Sequence, residues 1–256
     1  MNPAHAEAPL ARAASFLKST GAASAAVAID PIGARLRSLR EQMNPVRRVV
    51  HAGEAIFQAG ERFASLYVVH AGLFKMINIS ADGREQVVGF KFRGDWIGFD
   101  GIAEARHKSD AVAMDTSEVW VLPYEQLMVR SAEQPGLLGE LHAAMSREIV
   151  HDRDSMMALC TLPADARVAD FLRYWAESLA IRGMRTDEIA LRLTRAEIGN
   201  YLGMTLESVS RALSKLVRAG VIDFCSKGRR DLQIPDVDAL GRFVQRYLVP
   251  APATLQ

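Results

Sequence analysis

The segment Leu193–Gly220, LTRAEIGNYLGMTLESVSRALSKLVRAG, decides the fold of the C-terminal part of this chain. Thr194 followed three residues later by Glu197 is a capping-box pattern, so a helix is predicted to begin immediately after Thr194. Gly203 supplies a residue without a Cβ where two short helices need a tight turn. Thr205 is then the predicted N-cap of a second helix. The pattern indicates a helix-turn-helix.

The second helix has one apolar face and one polar face. Its apolar residues recur at helical spacing: Leu206, Val209, Leu213, Leu216 and Val217. Its other face carries the candidate DNA-binding residues Glu207, Ser208, Ser210, Arg211, Ser214 and Lys215. Arg211 can donate two hydrogen bonds to guanine, and Glu207 can accept one from cytosine N4. This chemistry fits a major groove, and the alternative is a helical hairpin with a solvated polar face.

The run IGNYLGMTLESVSR, residues 198–211, resembles the recognition motif of the CRP/FNR superfamily of bacterial transcription regulators. The E-x-x-S-R signature of its FNR branch matches Glu207, Ser210 and Arg211. The resemblance extends from about residue 35 to about residue 245. It implies a homodimer that reads TTGAT half-sites in a palindromic operator, and an activator of this family would also contact RNA polymerase.

Composition is ordinary for a globular protein, with 49% hydrophobic and 24% charged residues in 256. Residues 161–256 hold 14 Lys and Arg against 11 Asp and Glu, so the C-terminal part is mildly basic. No stretch is apolar and long enough to span a bilayer, and no signal peptide is recognised. We therefore expect a cytoplasmic protein, with Cys160 and Cys225 as reduced thiols.

Residues 1–31 are predicted to be a disordered arm, and residues 32–134 a sensor domain. The sensor would begin with a short helix, Ile32 to Met43, that buries Leu36 and Leu39. Glycine-punctuated apolar runs then predict an antiparallel roll or barrel, with a hairpin turn at Asp82-Gly83. The predicted strands are VRRVVHAG, EAIFQAG, SLYVVHAG, LFKMINIS, REQVVGFK, DWIGFDG, DAVAMDT and SEVWVLP. The resemblance implies the double-stranded β-roll of the superfamily, which makes the fold class α+β.

Residues 135–160 are predicted to form a long helix with a heptad stripe. The stripe consists of Leu138, His142, Met145, Ile149, Asp152, Met156 and Leu159. A monomeric core helix could show the same stripe, but the resemblance implies a dimer interface. Two copies of Asp152 facing each other would repel, which makes it a candidate switch that weakens the dimer. Alternatively, Asp152 points sideways and pairs with Arg153 or Arg147.

Residues 161–256 are predicted to be a winged helix. Thr161–Pro163 is the expected hinge, and helices are predicted over Ala164–Ala180 and Val237–Leu248. Strands Val221–Cys225 and Leu232–Ile234 flank a basic tip. Candidate phosphate contacts are the wing residues and helix ends Lys227, Arg229, Arg230, Thr194, Arg195 and Thr205.

The effector of the sensor domain stays open. Cyclic-nucleotide receptors of the superfamily use a G-E-x-G turn and a following Arg-Ser. The matching turn here is Gly98-Phe99-Asp100-Gly101, with Phe99 in place of the Glu. The following pair is Lys108-Ser109, with Lys108 in place of the Arg. Two of the polar side chains that hold a cyclic nucleotide are therefore missing.

Other cofactors are equally unsupported. The FNR branch carries an iron–sulfur cluster on four cysteines, but the N-terminal region here has none and the roll position corresponds to Trp120. Haem is open, with candidate axial ligands His51, His70, His107, His142 and His151. We identify no cofactor and rank control without a small ligand first.

The prediction is a homodimeric, sequence-specific DNA-binding transcription regulator with double-stranded DNA and a second copy of itself as partners. The alternative is a β-roll module that binds haem, nitric oxide or a cyclic nucleotide and has a non-DNA output. An enzyme is disfavoured because no catalytic triad order, metal-ligand cluster or phosphate-binding glycine loop was found.

Overall fold

The structure, a computed structural model, describes residues 30–225 and 231–248. Its sensor part begins with helix α1, Pro31–Met43. The strands are β1 Val46–Val50, β2 Ser65–Ala71, β3 Phe74–Ile79, β4 Glu85–Lys91, β5 Trp96–Ile97, β6 Asp110–Ala113 and β7 Ser117–Pro123. Helix α2, Tyr124–Glu133, and helix α3, Pro135–Thr161, follow. The predicted arm lies outside the described residues apart from its last two positions.

Seven short strands make two antiparallel sheets, one in the order β1-β7-β2-β5 and one in the order β4-β3-β6. The predicted hairpin at Asp82-Gly83 is confirmed, since Ile79 pairs with Glu85 across the turn and Gly83 has a φ of 81°. One predicted strand is wrong. The run EAIFQAG forms only a single bridge, from Ala55 to Val112, because turns at residues 52–53 and 59–60 keep its extended part short. Its backbone still bonds strand β6, since the N–H of Ile56 donates to the carbonyl of Ala111 at 2.8 Å.

Apolar side chains fill the space between the two sheets, as their alternation requires. This core consists of Val50, Ile56, Phe57, Val69, Phe74, Met76, Ile97, Ala111, Ala113 and Val119. A second cluster joins the outer side of the roll to the helices. Leu36 and Leu39 of α1 pack there with Leu137 and Leu141 of α3. Helix α1 thus buries the predicted side chains.

The C-terminal part is a winged helix. It contains α4 Ala164–Ala180, β8 Glu188–Ala190, α5 Arg195–Leu202, α6 Leu206–Arg218, β9 Asp223–Phe224, β10 Asp231–Gln233 and α7 Val237–Leu248. The three strands form one antiparallel sheet in the order β8-β10-β9. The wing tip, residues 226–230, lies outside the described residues, and with it the predicted phosphate contacts Lys227, Arg229 and Arg230.

The roll and the winged helix share one hydrophobic cluster. Phe90 of β4 lies 5.0 Å from Tyr201 and 5.2 Å from Trp175, measured between ring centroids. Phe92 makes an edge contact with Trp175 at 5.0 Å. These aromatic contacts fix the position of the winged helix against the roll.

Candidate nucleic-acid interface

The helix-turn-helix forms where its capping signals predict it. Thr194 accepts the N–H of Glu197 at 3.1 Å, and the carboxylate of Glu197 accepts the N–H of Thr194 at 2.9 Å. This reciprocal pair satisfies donors that the first turn of α5 leaves unpaired. Helix α5 ends at Gly203, which has a φ of 60°. Thr205 then accepts the N–H of Ser208 at 3.3 Å and starts α6.

The turn also depends on a close backbone approach at Gly199. The N–H of Met204 donates to the carbonyl of Gly199 at 2.9 Å. A Cβ added to Gly199 would lie 2.6 Å from the carbonyl oxygen of Met204, shorter than a real Cβ contact. The angle between the two helices is therefore set partly by the absence of a side chain there.

We expect Gly199→Ala to reduce the free energy of unfolding by roughly 1–3 kcal/mol, the usual cost of overpacking. Urea denaturation monitored by circular dichroism measures it. The matched control is Gly139→Ala in α3, where a Cβ would meet nothing within 4 Å. That variant should lose nothing, since alanine favours a helix over glycine. Equal losses in both variants would contradict the role given to the Gly199 contact.

Helix α6 turns most of its predicted apolar residues inward, but Leu206, at the start of the helix, is 47% exposed, so its predicted place on the buried face is wrong. Val209, Leu213 and Leu216 are buried in the winged-helix core. Glu207 and Arg211 are exposed one turn apart, and Ser208 between them is half-buried. The backbone at the start of α6 and the hydroxyl of Thr205 lower the pKa of Glu207, so this carboxylate is ionised and ready to accept hydrogen bonds.

The predicted recognition residues lie together. One shallow groove is lined by Ser208, Ser210, Arg211, Ser214 and Lys215 with their neighbours Ala164, Asp165, Ala212 and Arg218. Arg211 is held only weakly, by a donor contact to the hydroxyl of Ser208 at 3.4 Å. Its guanidinium can therefore move to a base edge without breaking an ion pair.

Three further predicted residues, Arg195, Ser214 and Lys215, make contacts within the chain. Arg195 donates to the hydroxyl of Ser210 at 3.1 Å, which links the start of α5 to α6. Ser214 donates back to the carbonyl of Ser210 at 2.9 Å. Lys215, expected to contact DNA, forms an ion pair with Asp165 and lies 3.1 Å from the hydroxyl of Tyr247. The side chains of Asp165 and Tyr247 raise the pKa of Lys215.

Sequence reasoning missed the contacts between α5 and the roll. The side-chain amide of Asn200 donates to the carbonyl of Glu85 at 2.8 Å, and its oxygen accepts the N–H of Val87 at 2.6 Å. Lys75 pairs with Glu197 at 2.8 Å. No local pattern signals these pairs, which join residues more than a hundred positions apart.

The predicted dimer stripe is largely exposed along α3, and its members Asp152, Met156 and Leu159 also border the space between α3 and the roll. Leu137, Leu141 and Ala144 are the residues of this helix that are buried against the rest of the chain. Most of the stripe is exposed, and Met156 reaches 64% and Ile149 48%. Met145 alone packs partly against the roll. An exposed apolar stripe of this length is the kind of surface that a second copy could cover.

The candidate haem ligands are dispersed. His107 is buried and stacks on Phe57 with ring centroids 3.5 Å apart, and His151 stacks on Tyr174 at 4.3 Å. His142 is exposed on α3.

Within residues 30–225 and 231–248, no group of three or more His, Cys, Asp or Glu side chains is placed to hold a metal ion. Cys160 and Cys225 are exposed free thiols.

No helix in the described ranges is both long and apolar enough to cross a membrane.

Two family models match the chain. A cyclic nucleotide-binding domain matches residues 47–129, and a Crp-like helix-turn-helix domain matches residues 166–243. Both coincide with the roll and the winged helix described above.

Curated relatives match over most of the chain. The fumarate and nitrate reduction regulatory protein of Escherichia coli is 35% identical over 208 residues, which cover 81% of this chain and 80% of that protein. The fumarate nitrate reduction regulatory protein of Klebsiella oxytoca is 36% identical over 188 residues, 73% of this chain and 74% of that protein.

Among solved structures, FixK2 from Bradyrhizobium japonicum superposes with a TM-score of 0.69 at 28% identity. The match covers 82% of this chain and 99% of that one. These relatives disfavour the alternative of a roll module with a non-DNA output, and they are transcription regulators, not enzymes. The chain therefore belongs to the CRP/FNR family of DNA-binding transcription regulators, and within it to the FNR branch, without that branch's set of iron–sulfur cysteines.

Proposed function

We propose that this protein is a homodimeric regulator that binds palindromes of the type TTGAT…ATCAA through α6. The observation that carries the proposal is the exposed pair Glu207 and Arg211 on the outer face of a capped helix. Arg211 would read a guanine and Glu207 a cytosine of each half-site. Ser210, which already accepts from Arg195, would complete the contact set.

Twofold symmetry sets the spacing of the operator. A dimer presents two α6 helices to adjacent major grooves, so the half-sites should lie about one helical turn apart. Thr194, Arg195 and Thr205 lie at the helix ends, where phosphate oxygens are the usual partners. If the protein is an activator, an exposed part of the roll would contact RNA polymerase.

Fluorescence anisotropy with a labelled TTGAT palindrome tests the proposal. We expect two chains per duplex and binding at least about 10³-fold tighter than to a duplex with both half-sites scrambled, at one stated salt concentration. Equal affinity for the two duplexes would refute the operator assignment. A complex of one chain per duplex would refute the dimer.

The dimer itself is proposed to form along the α3 stripe, with Asp152 as its weak point. Asp152 is exposed on the same face as Ile149 and Met156. In a symmetric pair, two such carboxylates would approach each other among apolar side chains, where like charges repel more strongly than in water. The repulsion between the two Asp152 carboxylates would therefore weaken the dimer.

We expect Asp152→Asn, which removes the charge and keeps the shape, to tighten self-association by about tenfold, the equivalent of one pKa unit of repulsion. Sedimentation velocity over a dilution series measures the dimer constant. Asp154→Asn is the matched control, since Asp154 is an exposed carboxylate two positions further, on another face of the same helix. Identical dimer constants for the two variants would remove Asp152 as a switch.

A further inference from the structure

The roll contains a cavity of about 620 Å³ between β3, β4, the 98–109 loop and helix α3. Its lining is largely apolar, with Met76, Val87 and Phe99 among the side chains. At one end it is bordered by Asp100 and by the backbone of Lys108 and Ser109. This end contains a hydrogen-bonded polar cluster centred on Asp100.

Three hydrogen-bond donors converge on one oxygen there. The Oδ2 atom of Asp100 accepts the N–H of Lys108 at 2.9 Å, the N–H of Ser109 at 3.0 Å and the hydroxyl of Ser109 at 2.7 Å. Two successive backbone N–H groups beside a hydroxyl make a concave anion site of the nest type. Its anion in this protein is a carboxylate of the same chain.

The surroundings hold the carboxylate in its charged form. Burial raises the pKa of Asp100, but hydrogen bonds from His107, Ser109 and Lys108 outweigh it and lower the pKa to about 2. His107 supplies Nδ1 at 3.4 Å from Oδ1 of Asp100. The ring of His107 is itself fixed, because it stacks on Phe57 and makes an edge contact with Phe63 at 5.5 Å.

The other charges around the cavity also oppose a bound anion. Glu148 and Asp152 of α3 line the same space as Asp100. Lys91 is paired with Glu148 at 2.8 Å, and Lys108 is paired with Glu104. Both lining lysines thus have carboxylate partners already. A phosphate entering this cavity would meet an excess of negative charge.

We propose that Asp100 is an internal anion that permanently occupies the anion site formed by the N–H groups of Lys108 and Ser109 and the hydroxyl of Ser109, so that the sensor excludes phosphorylated ligands from this site and its 98–109 loop is ordered without one. Phosphorylated ligands would then be rejected because Asp100 already fills the anion site, and not only because side chains that would bind them are missing. A neutral, mostly apolar molecule could still enter the remaining space. This inference concerns the sensor alone and does not depend on the operator assignment.

The test compares thermal unfolding of the full chain in chloride, inorganic phosphate and 3′,5′-cyclic AMP at equal ionic strength. Asp100→Ala empties the anion site and should acquire binding. At a ligand concentration about tenfold above the Kd, its Tm should rise by roughly 3–6 °C more than that of the unmodified protein. A rise with cyclic AMP but not phosphate would show that the emptied site needs the whole nucleotide.

The matched control is Asp110→Ala. Asp110 also accepts a backbone N–H on the roll, from Ala59 at 2.7 Å, but it lies outside the three-donor cluster. This variant should show only the general stabilisation by phosphate that the unmodified protein shows. The proposal is overturned if Asp100→Ala gains no more than the control, or if the unmodified protein is itself stabilised by cyclic AMP.

A second measurement needs no variant, in case Asp100→Ala does not fold. Hydrogen exchange of the Lys108 and Ser109 amides in the unmodified protein should be slow in chloride buffer and unchanged by phosphate. Fast exchange in chloride that phosphate slows would mean that the site is empty without a ligand, and would overturn the proposal.

Discussion

Replacing Arg211 with alanine is expected to weaken operator binding by roughly 1–3 kcal/mol for each half-site. A dimer loses this twice, so the total should be about 2–6 kcal/mol, or between about 30-fold and 10⁴-fold in Kd. The physical reason is that the guanidinium of Arg211 can donate two parallel hydrogen bonds to one base. Anisotropy titrations against the TTGAT palindrome measure the loss.

Loss of one positive charge is a separate effect and needs its own control. Arg218→Ala removes the same charge from the last turn of the same helix, and Arg218 is exposed as well. Both variants should bind scrambled DNA more weakly, by a similar factor. In both, the affinity for DNA should also depend less steeply on salt concentration. Arg211→Ala alone should lose discrimination at the guanine position. Equal discrimination by the two variants would mean that Arg211 does not read a base.

The helix-turn-helix could be predicted from sequence almost to the residue because its signals are local. The capping box joins positions three apart, and the positive φ of the tight turn favours a glycine there. Thr194, Gly203 and Thr205 each have the predicted role. Such contacts form within one helical turn, so the sequence alone contains both partners.

Contacts between distant parts of the chain could not be predicted from sequence. Lys215 is predicted to contact DNA, and the structure adds an ion pair between its ammonium and Asp165, fifty positions earlier. Asn200 has no predicted role, although its side-chain amide both donates a hydrogen bond to the backbone of β4 and accepts one from it. The sequence around a polar residue on a helix does not indicate which distant backbone groups it will hydrogen-bond.

The end of the roll shows a different cause of error. Helix α2, Tyr124–Glu133, was not predicted because it follows β7 directly, without a glycine or a polar break. Leu127 is its main buried apolar residue, so its helical periodicity is too short to recognise. The dimer stripe is the opposite case, because its heptad period can be read from the sequence alone. The structure exposes most of this stripe on α3.

The aromatic contact between sensor and winged helix should be the most sensitive point for stability. Phe90 is 2% exposed, and its ring contacts Trp175 and Tyr201 of the winged helix as well as Phe171 at 6.1 Å. We expect Phe90→Ala to cost roughly 3–5 kcal/mol, because truncating a buried aromatic removes its transfer energy and leaves a cavity. In a chain of this size, that corresponds to a fall in Tm of roughly 6–20 °C.

Differential scanning calorimetry at fixed protein concentration distinguishes a shared core from two separate ones. If the contacts of Phe90 make the roll and the winged helix unfold cooperatively, the unmodified protein should show one unfolding transition. Phe90→Ala should then show two transitions, one for each domain. Val88→Ala is the matched control, since Val88 lies on the same strand, is 41% exposed and should change stability by no more than about 0.5 kcal/mol. A single transition in Phe90→Ala, lowered no further than in the control, would mean that the cluster does not couple the two domains. The sensor would then have to reach α6 through the hydrogen bonds of Asn200 or through helix α3.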